Sequence, residues 1–362
     1  MIHHFSELQS AISASPKTLW IGALSFEERC VGSLAACEMN GVECSDALIL
    51  TYQSNVEPKR DADEKIAKHW RILNSFRGTV VTKRISTRSV EPYSFQDFEQ
   101  MLQLVLEELS PQFVIFDITC LTKVHTLALA TVLAENEPQF KWVAAYTIPE
   151  NYASVGSDQG QKVRQGWRDL IVAPLADTGM LFNEAHSRGV IIVGHESDRL
   201  IVALAELEPS GGLILKAYNP ERPDLHRVSD NHNRKIIRQL TRMRASQWTQ
   251  RVVDLSKMEP LQRCIAAEIV AAQKYAAPVI LFPYGPKLLV FSAAFELAEK
   301  YRKASWFVYP VPSSYPVAYS EGVQKTIWRL GRTSFDETRH SQSRIAYLMG
   351  RSGAGPAEKV TP

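Results

Sequence analysis

The sequence predicts an α/β protein built from two tandem Rossmann-like units, with mainly parallel sheets related by a pseudo-two-fold. Three observations predict it. Short apolar runs alternate with segments of helical period. The runs are apolar at successive positions, as in strands covered on both faces by helices. The whole plan then occurs twice, over Trp20–Tyr152 and Val190–Tyr315. WIGALSFEERCVGSLAA aligns without gaps on VIIVGHESDRLIVALAE, pairing Glu28-Arg29 with Asp198-Arg199. LILTYQSNVEP matches LILKAYNPERP, and FVIFDITCLTKVHTLALATVLAE matches VILFPYGPKLLVFSAAFELAE, pairing Lys123 with Lys287. YTIPENY matches YPVPSSY, pairing Tyr152 with Tyr315.

In the first copy, LWIGAL is a buried strand, and Glu27–Asn40 has helical spacing stopped by Asn40-Gly41. ALILTY is the second strand. Asp61–Phe76 is a charged amphipathic helix, and GTVVTKRI the third strand. Phe95–Leu109 places Phe95, Phe98, Met101, Leu102 and Val105 on one helical face. FVIFDIT, a helix over Lys123–Ala134 and KWVAAYTI complete the unit.

The second copy repeats this plan with VIIVG, a helix through Glu206, LILKAY and a helix near His232–Arg244. RVVDL, a helix over Pro260–Tyr275, PVILF, a helix over Leu288–Arg302 and WFVYPV follow. GQKVRQGWRDL, after the first copy, is echoed by GVQKTIWRL after the second. Each copy is therefore expected to end in a further helix that packs across onto the other copy. The expected division is 1–155 for copy one, 156–189 for a connecting segment, 190–330 for copy two and 331–362 for an extension. That extension ends in GRSGAGPAEKVTP, a composition expected to be disordered.

The chain has 362 residues, enough for two cores, and its 45% hydrophobic and 22% charged content is that of a globular protein. A net charge of +2 gives no global field toward nucleic acid or membrane. No apolar run reaches the roughly 18 residues of a membrane span, and the first residues lack a signal-peptide pattern. Five cysteines without CxxC spacing read as small buried groups in a reducing compartment. A cytoplasmic protein is expected.

In an open parallel sheet, ligands bind beyond the carboxyl ends of the strands, where the strand order reverses. Those ends carry Ser25–Arg29, Asn55–Glu57, Asp117–Lys123 and Ile148–Tyr152 in copy one. Copy two offers Gly194–Arg199, Asn219–Glu221, Phe282–Lys287 and Val311–Tyr315. Asp117-Ile-Thr119-Cys-Leu-Thr122-Lys123 leaves a buried strand and enters a helix. Two hydroxyls and an ammonium at a helix N-terminus suit a phosphate, through backbone N–H groups, the dipole and a charge-assisted bond. The alternative is that Thr119 or Thr122 caps the helix while Lys123 is solvated.

This D-x-T-x-x-T-K segment resembles the signature of CARF domains, the CRISPR-associated Rossmann-fold sensors, with Cys120 and Leu121 where that family has glycines. CARF domains pair and bind cyclic oligoadenylates across the pair. The related SAVED domains of bacterial anti-phage systems are similar to two CARF units fused in one chain. The resemblance implies ligand contacts from Asp117, Thr119, Thr122 and Lys123, and from Lys287 in copy two. Copy two otherwise departs from the pattern, since Phe282-Pro-Tyr-Gly-Pro-Lys287 keeps the lysine alone. The family's loop after the first strand adds Ser25 and Phe26, with His195 and Glu196 opposite.

Other candidates rest on the residues themselves. Arg29 and Arg199 stand in first helical turns, where a cation is unfavourable beside the dipole. They contact an anion, or they serve in ion pairs with Glu28 or between the copies. Tyr152 and Tyr315 follow shared prolines and either stack on a base or pack their loops. His232–Arg251 holds Arg234, Lys235, Arg238, Arg242 and Arg244 without an acid. It is a candidate face for nucleic acid, nucleotide phosphates or an acidic partner, or a solvated surface.

His3, His4, His186, His226 and His232 lack metal-ligand spacing, and neither GxSxG nor HExxH occurs. No metal, cofactor or catalytic residue is assigned. The expected function is recognition of a cyclic oligonucleotide or other phosphate-bearing ligand between the halves, acting with a partner effector in anti-phage defence. The alternatives are a ring-nuclease-like enzyme acting in the cleft, with Thr119, Thr122 and Lys123 on the scissile phosphate, and a structural subunit of a defence complex. Because the phosphate-type motif is intact in copy one alone, a single composite site between unequal halves is expected.

Overall fold

The computed structural model describes residues 9, 10, 12, 15–52, 60–135, 140–152, 167–175, 186–194, 197–220, 222–243, 247–255, 257, 259–312 and 320–330. Within them, β1 (Thr18–Ala23), β2 (Cys44–Tyr52), β3 (Val81–Val90), β4 (Phe113–Asp117) and β5 (Lys141–Ile148) build one sheet. The order is β3-β2-β1-β4-β5, every neighbour parallel. The second sheet contains β8 (Arg188–Val193), β9 (Gly211–Tyr218), β10 (Trp248–Asp254), β11 (Val279–Pro283) and β12 (Ser305–Pro312). Its order, β10-β9-β8-β11-β12, is the same relative order and also parallel. The fold is therefore α/β, with two mainly parallel, Rossmann-like sheets.

The helices are α1 (Gly32–Met39, after a 3-10 turn at Glu28–Val31), α2 (Arg60–Ser75), α3 (Phe95–Leu109) and α4 (Lys123–Glu135). In the second half they are α5 (Ser197–Leu207), α6 (Pro223–Met243), α7 (Glu259–Gln273) and α8 (Lys287–Tyr301). The α3 start is capped by Ser94, whose hydroxyl accepts from the Asp97 amide at 3.3 Å.

One expectation is corrected. The described parts of the two echoed segments are strands, not helices: β7 (Trp167–Pro174) and β14 (Lys325–Leu330). They do cross over. β7 follows the first half yet lies antiparallel on β12, and β14 follows the second half yet lies antiparallel on β5. Among the described residues each sheet thus has six strands, one of them contributed by chain from beyond the other half. The physical reasons are local and global. Leu170-Ile171-Val172 and Thr326-Ile327-Trp328 are runs of β-forming residues without helical period. The edges of β5 and β12 would otherwise present unpaired backbone groups. A further two-stranded ribbon pairs β6 (Asn151–Tyr152) with β13 (Ser320–Glu321).

Helices α4 and α8 join the halves. Both are apolar on nearly every side, as helices enclosed by protein must be, and they pack along one another between the sheets. A continuous core runs from Leu19, Val114 and Leu127 through Leu289 and Phe291 to Val190 and Leu281. Separate clusters fill the outer face of each sheet. The exchanged strand β14 is fastened to this seam by Arg329. Its guanidinium lies 5.6 Å and 5.7 Å from the rings of Phe291 and Phe295, and 3.8 Å from the carboxylate of Glu296. Glu296 is fully buried, paired with Lys300 at 2.7 Å and accepting from Gln262 Nε2 at 2.8 Å.

His125, also in α4, is buried and stacks on Phe98 with ring centroids 4.2 Å apart. Its Nε2 lies 2.9 Å from the Glu91 carbonyl. Burial pushes its pKa down from 6.5 to about 4, despite the carbonyls of Glu91 and Ser94. Between these values the unfolded chain binds a proton that the folded chain does not, so stability falls as pH drops from 6.5 to about 4. The loss is about 3 kcal/mol, at about 1.4 kcal/mol per pH unit. Urea unfolding at pH 7, 5.5 and 4 should show this loss in the native protein and its absence in His125→Phe. An equal acid dependence in both proteins would contradict it.

Candidate functional site

The strand order of each sheet reverses between its first and fourth strands: β1 and β4 in one half, β8 and β11 in the other. The chain leaving β4 is Ile118–Thr122, and the chain leaving β11 is Tyr284–Pro286. These two reversals meet. Lys287 Nζ donates to the carbonyl of Thr119 at 2.5 Å. Lys123 Nζ, from the opposite side, lies 5.9 Å from the ring centroid of Tyr284 and 5.8 Å from that of Tyr309. The two sequence-matched lysines therefore cross, each reaching into the other half.

Why the segment folds this way follows from its polar groups. Asp117 is buried; its carboxylate accepts from the Thr119 amide at 2.9 Å and from the Ser33 hydroxyl. Ser33 in turn accepts from Trp20 Nε1 at 2.9 Å. Trp20 can lie across its own strand because residue 22 is glycine: a Cβ there would meet the indole at 2.3 Å. Thr119 Oγ1 accepts from the Thr147 amide at 2.9 Å. Thr122 caps α4, its hydroxyl accepting from the His125 amide at 3.1 Å. Burial pushes the Asp117 carboxyl above its usual range, outweighing the bonds from Ser33 and Thr119 and the pull of Lys287.

A carboxylate stands at the centre of the junction. Burial pushes Glu27 up, but Arg29, Lys287 and hydrogen bonds from Ser320 and Arg29 outweigh it and hold its pKa below 4.5. Arg29, itself buried, donates from Nε to Glu27 at 3.1 Å and from Nη1 to the Thr147 carbonyl at 3.2 Å. Ser320, at the start of β13, donates its hydroxyl to Glu27. The ribbon that carries Ser320 is tied down from the second half, since Arg222 donates to the Glu150 carbonyl. Desolvation depresses the pKa of Lys287, with Cys120 and Glu27 opposing that effect.

The structure brings Arg29, Asp117, Thr119, Thr122, Lys123 and Lys287 to this junction. Ser25 shapes the loop: its Oγ accepts from the Glu27 amide at 3.2 Å, and its carbonyl lies 2.8 Å from His69 Nδ1. Phe26 sits partly buried on the same loop. Glu28 turns outward to Lys68 at 3.7 Å, so the partner of Arg29 is Glu27 and not Glu28. Arg199 is buried, and its carbonyl accepts from the Tyr284 hydroxyl at 3.2 Å. Tyr152 pairs its backbone with Ser320 in the ribbon. His195, Glu196 and Tyr315 lie outside the described residues, as does the expected disordered end.

The sequence reading passed over Ser33, Thr147, Tyr284, Tyr309 and Ser320 as site residues. Tyr284 and Tyr309 stood in aligned segments, which was a usable signal. Ser320 reaches Glu27 through the strand exchange, and nothing local marks it. Cys30, Cys37, Cys44 and Cys120 are buried; burial pushes the Cys30 thiol up to about 12 and that of Cys120 up as well, so neither is a ready nucleophile. Among the described residues no three acidic, histidine or cysteine groups could hold a metal ion. Among them, too, no helix is long and apolar enough to cross a membrane.

The fold and junction thus define an α/β protein in which two mainly parallel sheets touch at their points of strand-order reversal. No family model matches the chain, and no curated protein matches it. Among solved structures it is similar to a type III CRISPR defence DNA nuclease activated by cyclic oligoadenylate. That match has 8% identity and a TM-score of 0.49, and covers 80% of this chain and 65% of that one. A second is Can2 from Sulfobacillus thermosulfidooxidans in complex with cyclic tetra-adenylate, at 16% identity and TM-score 0.27, covering 36% and 32%. A third is the hexameric APS kinase from Thiobacillus denitrificans, at 12% identity and TM-score 0.22, covering 78% and 62%. The chain spans about two thirds of the length of the CRISPR nuclease.

Proposed function

We propose that this protein recognises one phosphate-bearing ligand, a cyclic oligonucleotide, between its two halves and acts with a partner effector in anti-phage defence. The observation that carries the reading is the crossing of Lys123 and Lys287 where the two strand-order reversals meet. Parallel sheets bind ligands at such reversals, and here two of them share one place. The resemblance of Asp117–Lys123 to the CARF signature supports the choice of ligand class. The junction gathers Arg29 and Lys287 around Glu27, and the charge of Lys123 reaches Lys287. In this reading a phosphate takes the place of the Thr119 carbonyl as the acceptor from Lys287, giving a stronger, charge-assisted bond. Tyr152 and Tyr315 are proposed to stack on bases.

The threonines do not favour cleavage over recognition. The side-chain oxygens of Thr119 and Thr122 already accept backbone amides, so in this conformation both hold the loop. The structural-subunit reading draws on the same closure, because Lys287 is satisfied within the chain. A thermal-shift panel of cyclic oligoadenylates and cyclic dinucleotides separates the two. Recognition predicts one member that stabilises the protein by about 3 kcal/mol at a hundredfold excess over Kd. That shift should vanish in Lys287→Met and Lys123→Met proteins that remain folded. If no member shifts the native protein, the ligand reading fails and the structural one stands.

A further inference from the structure

We infer that the outward face of α6 is a docking surface for the phosphate backbone of nucleic acid, engaged without regard to base sequence. The helix has 21 residues, about 30 Å at 1.5 Å per residue. Arg227, Asn231, Arg234, Lys235 and Arg238 are exposed, and their spacing puts them on one side. Asn233, Ile236 and Ile237 are buried on the other. Arg234 is steadied by Asn231, to which it donates at 2.6 Å.

The acids of this helix are already engaged elsewhere. Asp224 pairs with Arg222 at 2.8 Å; Asp230 pairs with Lys216 at 2.8 Å and lies 3.8 Å from His226. Neither acid of this helix is therefore left over for Arg227, Arg234 or Lys235. The strand that follows, β10, is a sheet edge and exposes Thr249, Gln250 and Arg251. The fold does not demand this basicity. Helix α2, which also joins a second strand to a third, interleaves Asp61, Asp63 and Glu64 with Lys65, Lys68 and Arg71.

Direction also matters. A crossover helix between parallel strands runs antiparallel to them, so α6 starts at the carboxyl edge of its sheet, beside Arg222 and the ribbon, and leads to the opposite edge. The stripe is thus a second surface, separate from the lysine junction. A row of arginines and a lysine on a rigid helix suits a polyanion, because each phosphate it neutralises releases condensed counterions.

The test is fluorescence anisotropy of labelled duplex DNA and single-stranded RNA of about 20 nucleotides, titrated from about 50 mM salt upward. The full chain should bind duplex DNA with a log–log salt slope of about −3 to −4. Arg234→Ala/Lys235→Ala/Arg238→Ala should flatten that slope by about 3 and weaken binding at low salt at least tenfold. Its melting temperature, and any shift given by a cyclic nucleotide, should stay unchanged. Lys65→Ala/Lys68→Ala/Arg71→Ala, removing equal charge from α2, should bind as the native protein does. The RNA arm decides which nucleic acid is preferred, and binding to either supports the surface. Absence of binding to both at low salt, or an equal loss in the two triple variants, overturns it.

Discussion

Arg329→Ala is expected to destabilise the protein by about 3–5 kcal/mol, the cost of leaving one member of a buried ion pair behind. Glu296 is fully buried, and Arg329 approaches it from the exchanged strand β14. Alanine removes the cation and the guanidinium surface lying against Phe291 and Phe295. Lys300 remains beside Glu296 and holds the loss toward the lower end of that range. The double variant Arg329→Met/Glu296→Leu, which removes both charges while keeping apolar volume, should recover most of the loss. Urea denaturation of the three proteins measures both effects. A single variant within 1 kcal/mol of the native protein would mean that β14 is not fastened by this contact.

Asp117→Ala is expected to cost about 3 kcal/mol, because two buried donors, the Ser33 hydroxyl and the Thr119 amide, lose their acceptor. Asp117→Asn keeps an acceptor for the Thr119 amide and should cost less than half as much. The pH dependence separates charge from shape. Since the folded pKa of Asp117 is raised above 3.8, the folded state retains its proton longer than the unfolded chain does. This contribution is fully present below pH 3.8 and is lost as pH rises through the folded pKa. Asp117→Asn should lack that dependence in urea titrations across the acid range. Equal costs for alanine and asparagine would show that the carboxylate's bonds do not hold the loop.

Much of this architecture was legible because strand and helix impose different periods on apolar residues. FVIFD and VILFP are buried at every position, and both lie at the centre of parallel sheets. The exchanged strands were misread as helices because their segments carry one polar or charged residue in every two or three, which blurs both periods. Their partner edges lie far away in sequence, where no local pattern points. The junction was legible in part. A lysine after each fourth strand marked the place where the halves meet, but not that each lysine reaches across. The choice between Glu27 and Glu28 was not readable, since adjacent acids differ only in which way a single turn presents them. Ser320 could not have been found, because it arrives through the strand exchange.

We propose that the two unequal halves share a single composite site. The most direct test is the stoichiometry of binding, read by titration calorimetry or native mass spectrometry with whichever cyclic nucleotide gives the largest thermal shift. One ligand per chain, abolished by either Lys123→Met or Lys287→Met, is the predicted result. Two ligands per chain, or binding that survives both substitutions, would contradict it.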